Sequence, residues 1–460
     1  MNWTKENLLK ALPYSKIYNM PDDYLSGGVF VTPVNAGDNK ICALRKDNET
    51  AGMALTAFKT FSEKFNIPAV MCTDYESFNH INLPIIEVSD IPKALYDMAC
   101  FVRDSYRGKV IAITGSAGKS TTTGICYDAL KSYGADGNIN KANTVFGLSW
   151  NMTDYNIDVP YWVNEVSLNK GMYPSARLLR PDVAVITNVA PVHLKADESV
   201  ETVAELKSRI FTNMDEGGYA VLNKDMAYFE VAHSVAKAKM LNVITFGQGK
   251  DSDIQVFVNE NACGLIIGGK VLEISKYPLP VHILLDMGAV AGVLTSLGLA
   301  VDVNVFKSFK PLPGRGTILR GKVDENRSVL IMDESYNANP LSMKMTLEGF
   351  NSLYAHKENK ILILGDMSEG GVETINQHKS LANTVLDISP SKVILVGEYM
   401  TVLYYELKNK LDVSYYSGVE ALLNDITSYI SDDNYIFVKG SHSVGLDNVV
   451  RFFVDKFKEN

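Results

Sequence analysis

The sequence predicts an α/β protein of three units: a small α/β unit over residues 1–105, a central phosphate-binding unit with a mostly parallel sheet over 106–312, and a doubly wound, Rossmann-like unit over 313–460. Three observations predict it. At 460 residues the chain exceeds what one hydrophobic core organises. Short apolar runs alternate with segments of helical apolar spacing, the pattern of parallel sheets covered by helices. The run VIAITGSAGKSTTTGICYDAL, Val110 to Leu130, reads as a strand, a glycine turn and a helix in succession.

Bulk properties narrow the function classes. Hydrophobic content of 46% and charged content of 21% belong to an ordinary globular chain. Formal net charge is −9 and the basic residues are scattered, which removes any general electrostatic case for nucleic acid. Cys42, Cys72, Cys100, Cys126 and Cys263 show no CxxC or other close pairing. That argues against a zinc site or disulfide framework and fits a reducing cytosol. The N-terminal MNWTKENLLKALPYSK lacks the long apolar core and small-residue cleavage site of a secretory signal. No run approaches ~18 apolar residues, so a cytoplasmic protein without membrane insertion is expected. A monomer acting on small molecules is expected.

In the first unit, Gly27-Gly28-Val29-Phe30-Val31 reads as a turn and a strand, Ala69–Cys72 and Leu83–Val88 as further strands, and Leu95–Arg103 as a helix into the next unit. Nothing here carries catalytic chemistry, and docking a substrate is its natural role.

The central unit opens on the phosphate loop. Val110–Ile113 is a buried strand, and Gly115-Ser116-Ala117-Gly118 turns the chain. The glycines let backbone N–H groups approach phosphate oxygens, and the helix start adds unpaired donors and partial positive charge. Lys119 would neutralise the β- and γ-phosphates, and a hydroxyl of Ser120 or Thr121 would sit on Mg²⁺. An ordinary turn with a chance Gly-Lys is the alternative. Tyr161–Val166 is a strand ending near Glu165, and Val183–Val189 a strand running toward His193. Ligands collect beyond the carboxyl ends of parallel strands, so Glu165 and His193 are candidate metal ligands. A surface glutamate and a hydrogen-bonded core histidine are the alternatives. Glu201–Phe211 reads as a helix; Lys207 within it reads, from the residues alone, as a solvated face.

After the loop Leu312-Pro313-Gly314-Arg315-Gly316 the pattern restarts. Val329–Asp333, Ile361–Gly365, Val393–Gly397 and Tyr435–Lys439 read as buried strands with helices between them, closed by an amphipathic helix through Val449, Phe453 and Phe457. The polar cluster Asp333 to Asn339 follows the first of these strands and suits a nucleotide or small polar ligand; a plain turn is the alternative.

Together these stretches resemble the Mur ligase family, which joins amino acids or peptides to a carboxylate using ATP. They look most like its MurF-like branch. The matching stretches are TGSAGKST (114–121), NEVS (164–167), RPDVAVITNVAPVHL (180–194), LKSRIF (206–211), PGR (313–315), DESYNANPLSM (333–343), LGDMSEGG (364–371) and VKGSHS (438–443). The resemblance implies that Gly118, Lys119, Ser120 and Thr121 hold ATP phosphates and Mg²⁺, within the loop Gly115, Ser116 and Ala117. Glu165 and His193 match metal-binding positions. Lys207 matches a carbamylated lysine that helps hold the second of two Mg²⁺ ions, which replaces the solvated-face reading. Arg315, Asp333, Glu334, Asn337 and Asn339 match positions that contact the nucleotide. The implied reaction forms an acyl phosphate that an amine then attacks.

Two stretches depart from that pattern. A TDSR-type motif that holds a UDP-sugar is replaced by Tyr18-Asn19-Met20-Pro21-Asp22-Asp23. A GRHNxxN-type pattern that contacts adenine reads Val281-His282-Ile283-Leu284-Leu285-Asp286, with only His282 kept. The expectation is an ATP-dependent amide ligase acting on a carboxylate acceptor, possibly nucleotide-sugar-linked, and an amino acid or dipeptide amine. A divergent ligase adding D-alanyl-D-alanine to UDP-muramoyl tripeptide is the first alternative, and a nucleotide-binding scaffold without turnover the second.

Overall fold

The computed structural model describes residues 1–139, 142–167, 172–189, 200–259, 262–276, 279–367 and 373–459. His193 and the ends of the stretches 180–194 and 364–371 lie outside them. Three large sheets follow one another along the chain. No helix among the described residues is long and apolar enough to cross a membrane.

The first sheet has the order Lys16–Tyr18, Ile85–Glu87, Val70–Cys72, Ile41–Arg45, Val29–Phe30, with Met53–Ala54 beside Ile41–Arg45. Its pairs are parallel except the first. The following helix, Ile91–Ser105, starts where Asp90 accepts the Lys93 N–H at 2.6 Å, with Pro92 in the first turn. Its buried stripe Ile91, Ala94, Leu95, Met98, Ala99, Val102 has i, i+3, i+4 spacing. That stripe belongs to a core running from Trp3 and Leu8 to Trp150 and Trp162 of the central unit, so the first two units share one apolar interior. Thr153 Oγ1 accepts the Val29 N–H at 2.8 Å, and Lys40 pairs with Asp154 at 2.6 Å, which pins the same junction.

The central sheet has nine strands. Ala135–Gly137, Tyr161–Glu165, Lys109–Thr114, Val183–Ile186, Tyr219–Asn223, Asn242–Gly247 and Ile254–Val258 run parallel, and Cys263–Ile267 and Lys270–Ser275 add an antiparallel edge. Strand Lys109–Thr114 lies between Tyr161–Glu165 and Val183–Ile186. The strand order reverses there, and that reversal opens a crevice at the carboxyl ends. Helix Val281–Ser296 is buried on all sides from Ile283 to Leu294. Gly292 brings it against the sheet: a Cβ there would stand 2.6 Å from Val221 Cγ1.

The third sheet has the order Thr317–Asp324, Arg327–Asp333, Asn434–Lys439, Lys360–Gly365, Lys392–Val396, Val413–Tyr416. Only the first pair is antiparallel. Separate apolar layers cover its two faces, one around Phe350 and Leu381, the other around Leu422 and Phe453. The four strands read from the sequence are its four consecutive central ones. This unit meets the central one where Asn188 Nδ2 stands 3.6 Å from Met345 Sδ and where Gly349 faces His282.

Candidate active site

The phosphate loop is held open by its neighbours rather than by itself. Strand Lys109–Thr114 delivers Gly115, where a Cβ would run into Thr187 Oγ1. Thr187 accompanies the loop, donating its hydroxyl to Thr114 O at 3.2 Å or to Ala117 O at 2.5 Å. The Ser116 N–H reaches Asn188 O at 2.9 Å. Gly118 takes φ +81°, a left-handed conformation that suits glycine, and caps helix Lys119–Lys131. Lys119 Nζ folds back onto Gly115 O at 2.9 Å. Underneath, Thr122 donates to Asp286 Oδ1 at 2.8 Å, and a Cβ on Gly118 would collide with the same oxygen. Burial pushes the Asp286 carboxyl up to about 7; the Thr122 hydroxyl and nearby His282 pull the other way.

Glu165 ends its strand in a clamp. Asn138 Oδ1 accepts the Glu165 N–H at 2.7 Å, Asn138 Nδ2 donates to Glu165 O at 2.9 Å, and Asn143 Nδ2 donates to Glu165 Oε1 at 2.6 Å. The carboxylate is thereby aimed before any ligand arrives.

Lys207 overturns the solvated reading made from its helix alone. It is fully buried in helix Val200–Ser208, and its Nζ has no hydrogen-bond partner among the described residues. Burial pushes its ammonium well below the ordinary lysine value, and nearby Lys119 acts in the same direction. An unpaired amine buried beside this loop is costly to keep. No group of three His, Cys, Asp or Glu side chains forms a metal cluster among the described residues, and His193 lies outside them.

The C-terminal unit supplies the opposite wall. Asp333 faces inward: it accepts the Gly314 N–H at 2.9 Å and the Ser335 N–H and hydroxyl at 3.0 and 2.6 Å, tying two loops together. Arg315 lies over the Tyr336 ring at 4.1 Å. Glu334 is buried between His282, at 3.5 Å from Oε1, and Lys439, at 3.8 Å from Oε2. Lys439 donates to Asn337 O at 2.8 Å, and burial pushes its ammonium down. Asn339 Oδ1 accepts the Ser342 N–H at 2.8 Å, so that atom caps helix Pro340–Tyr354.

These walls enclose a cleft of about 1330 Å³. Gly115 through Thr121, Glu165, Lys207, His282, Arg315, Glu334, Asn337 and Asn339 all line it, whereas Asp333 stands behind it. Asn143, Thr187, Asp286 and Lys439 line it too, and sequence reasoning did not assign them roles; Tyr336, within the polar cluster Asp333 to Asn339, also lines it. For Asp286 a signal existed, since it is the lone acid in an apolar helix; for Thr187 and Asn143 none did, because the groups their side chains bond lie far away in the chain.

Residues 113–282 match the Mur ligase middle domain and residues 314–442 match the Mur ligase, glutamate ligase domain. The chain is 28% identical over 381 residues to the UDP-N-acetylmuramoyl-tripeptide–D-alanyl-D-alanine ligase of Rickettsia prowazekii, covering 80% of this chain and 83% of that one. It is 27% identical over 394 residues to the protein of that name from Escherichia coli, covering 81% and 82%. Among solved structures it superposes on MurF from Acinetobacter baumannii with a TM-score of 0.81 at 17% identity, covering 100% and 99% of the two chains. MurF of Thermotoga maritima in complex with ADP gives 0.74 at 20% identity, covering 94% and 98%. The chain belongs to the Mur ligase family and is MurF-like within it.

Proposed function

We propose that the chain is an ATP-dependent amide ligase that activates a carboxylate as an acyl phosphate and joins it to the amine of an amino acid or dipeptide. The observation that carries this is the buried Lys207 amine, without a partner among the described residues, lining one cleft with the phosphate loop and Glu165. A plain nucleotide-binding scaffold has no use for that arrangement. Burial favours the neutral amine, the form that adds CO₂: its lone pair forms the N–C bond and one proton leaves, giving a carbamate. A carbamate at Lys207 would remove the orphaned polar atom and place a carboxylate in the cleft.

Ser120, Glu165, His193 and carbamylated Lys207 would hold two Mg²⁺ ions, which when bound offset the repulsion between an anionic carboxylate and anionic phosphates. The chain's own residues do the rest. Loop N–H groups from Gly115 to Thr121 cradle the phosphates, and Lys119 exchanges Gly115 O for a phosphate oxygen. The acceptor carboxylate oxygen forms a bond to the γ-phosphorus and ADP leaves. The amine nitrogen then forms a bond to the acyl carbon, phosphate leaves, and the amine gives up a proton. Closure of the Arg315–Glu334 wall over the phosphate loop excludes water, which would otherwise hydrolyse the acyl phosphate.

The acid is proposed to differ from UDP-muramoyl tripeptide. Where a TDSR-type motif would help hold a UDP-sugar, Tyr18 stacks on Tyr75 at 3.9 Å and donates to Glu87 at 3.1 Å. The second reading is the reaction of the curated relatives, addition of D-alanyl-D-alanine to UDP-muramoyl tripeptide, which their names favour. ADP release assayed over a panel of carboxylates and amines, with that pair included, tests both. Release requiring both an acid and an amine is expected. Release with no amine dependence anywhere in the panel would overturn the ligase reading, and robust release with the muramoyl pair would overturn the preference for another acid.

A further inference from the structure

Helix Val281–Ser296 carries two titratable side chains, His282 and Asp286, one turn apart on one face. They point at different units. Asp286 meets the phosphate loop: its Oδ1 takes the Thr122 hydroxyl at 2.8 Å and packs so closely under Gly118 that no side chain fits there. His282 meets the C-terminal unit, its Nε2 3.5 Å from Glu334 Oε1, with Lys439 on the far side of Glu334 and bonded to Asn337 O. A line of polar groups thus runs Thr122, Asp286, His282, Glu334, Lys439, Asn337 from the loop helix to the C-terminal unit. Two buried atoms on it, His282 Nδ1 and Glu334 Oε1, have no hydrogen-bond partner among the described residues, and both residues line the cleft. The line is incomplete within the protein, and a ligand in the cleft would complete it.

We propose that Asp286 is a positioning residue that fixes the first turn of the phosphate-loop helix and, through His282, ties it to the Glu334–Lys439 pair, so that binding of nucleotide phosphates and seating of the C-terminal unit are one event. This rests on the reading of the cleft as a nucleotide site. A carboxyl buried in an apolar helix costs free energy unless its hydrogen bonds are specific, and here that bond goes to the loop helix.

Calorimetry on the full chain tests it, with ADP and AMP as probes, the second lacking the β-phosphate. Asp286→Ala is expected to weaken ADP about tenfold while AMP changes less than about threefold. Asp286→Asn keeps an acceptor for Thr122 and is expected to stay within about threefold of wild type for both. Thr122→Val, which removes only the hydroxyl, is expected to reproduce Asp286→Ala and serves in its place if that variant does not fold. Thr122→Val and Glu334→Gln are expected to act non-additively on ADP affinity. ADP affinity equal to wild type in Asp286→Ala and Thr122→Val, or strict additivity of the pair, would overturn the proposal. A wild-type chain that binds neither nucleotide would overturn the nucleotide reading, and the proposal with it.

Discussion

Replacing Lys207 with methionine separates the chemistry of that amine from its packing. The side chains are similar in length, so the buried space stays filled, while the unpartnered Nζ disappears. Leaving a buried amine without a hydrogen bond costs about 1–3 kcal/mol. Lys207→Met is therefore expected to stabilise the metal-free, bicarbonate-free protein by about that amount where the amine is neutral in both folded and unfolded chains, and by more at lower pH, where folding must also release its proton. At about 2–4 °C per kcal/mol, the melting temperature rises by about 2–12 °C. The pH dependence carries the sign. Burial lowers the Lys207 pKa from 10.5, so between the folded and unfolded values the unfolded chain holds more proton than the folded chain. Wild-type stability therefore rises with pH, and the advantage of methionine shrinks toward pH 10.5. Calorimetric melts of both proteins from about pH 6 to about pH 9 measure this, and ADP release measured alongside is expected to be lost in the variant. A destabilised Lys207→Met, or a pH-independent difference, would refute the picture of a neutral unpaired amine. Full turnover in the variant would refute its role in the reaction.

Other perturbations have equally definite outcomes. Lys119→Ala is expected to abolish phosphoryl transfer with an unchanged circular dichroism spectrum, and unchanged turnover would remove the phosphate-loop assignment. Gly118→Ala combines a left-handed φ of +81° with a collision at Asp286 Oδ1, so a loss of about 1–3 kcal/mol in denaturant melts is expected together with loss of ADP binding. Asp286, with its carboxyl pushed from 3.8 up to about 7, contributes stability at acid pH that is lost as pH rises through that interval. Its charged neighbours His282, Glu334 and Arg315 bear on the size of that loss. Asp286→Asn does not titrate, so its stability relative to wild type is expected to increase from about pH 5 to about pH 8, and a constant difference would show that Asp286 is ionised throughout.

The sequence carried the parts of this molecule that are local. A strand, a glycine turn and Gly-Lys-Ser at a helix start lie within one short run, so that strand, turn and helix could be read directly. Glu165 could be placed because a buried strand ends at it. Lys207 was misjudged from its helix alone, although it stands four residues after Val203 and three after Ala204, both buried, and so on the apolar face. Helix Val281–Ser296 escaped because its polar start was read as a motif; an all-round apolar helix has no amphipathic period to detect. The antiparallel edge Cys263–Ser275 also escaped, though Gly268 and Gly269, both at positive φ between paired Ile267 and Lys270, are a two-residue hairpin signal. The ties that shape the cleft, Asn143 to Glu165, Thr187 to Ala117 and Thr122 to Asp286, join residues far apart in the chain, and nothing local announces such pairs.

The measurement that tests the central claim most directly is oxygen transfer from the acceptor acid. With the carboxylate of the accepted substrate labelled in both oxygens with ¹⁸O, mass spectrometry of the inorganic phosphate released during amide formation reports whether an acyl phosphate formed. The account predicts one labelled oxygen in each phosphate released with product. Unlabelled phosphate would mean that water, not the carboxylate, attacks the γ-phosphorus, and would contradict an acyl-phosphate ligase at this cleft.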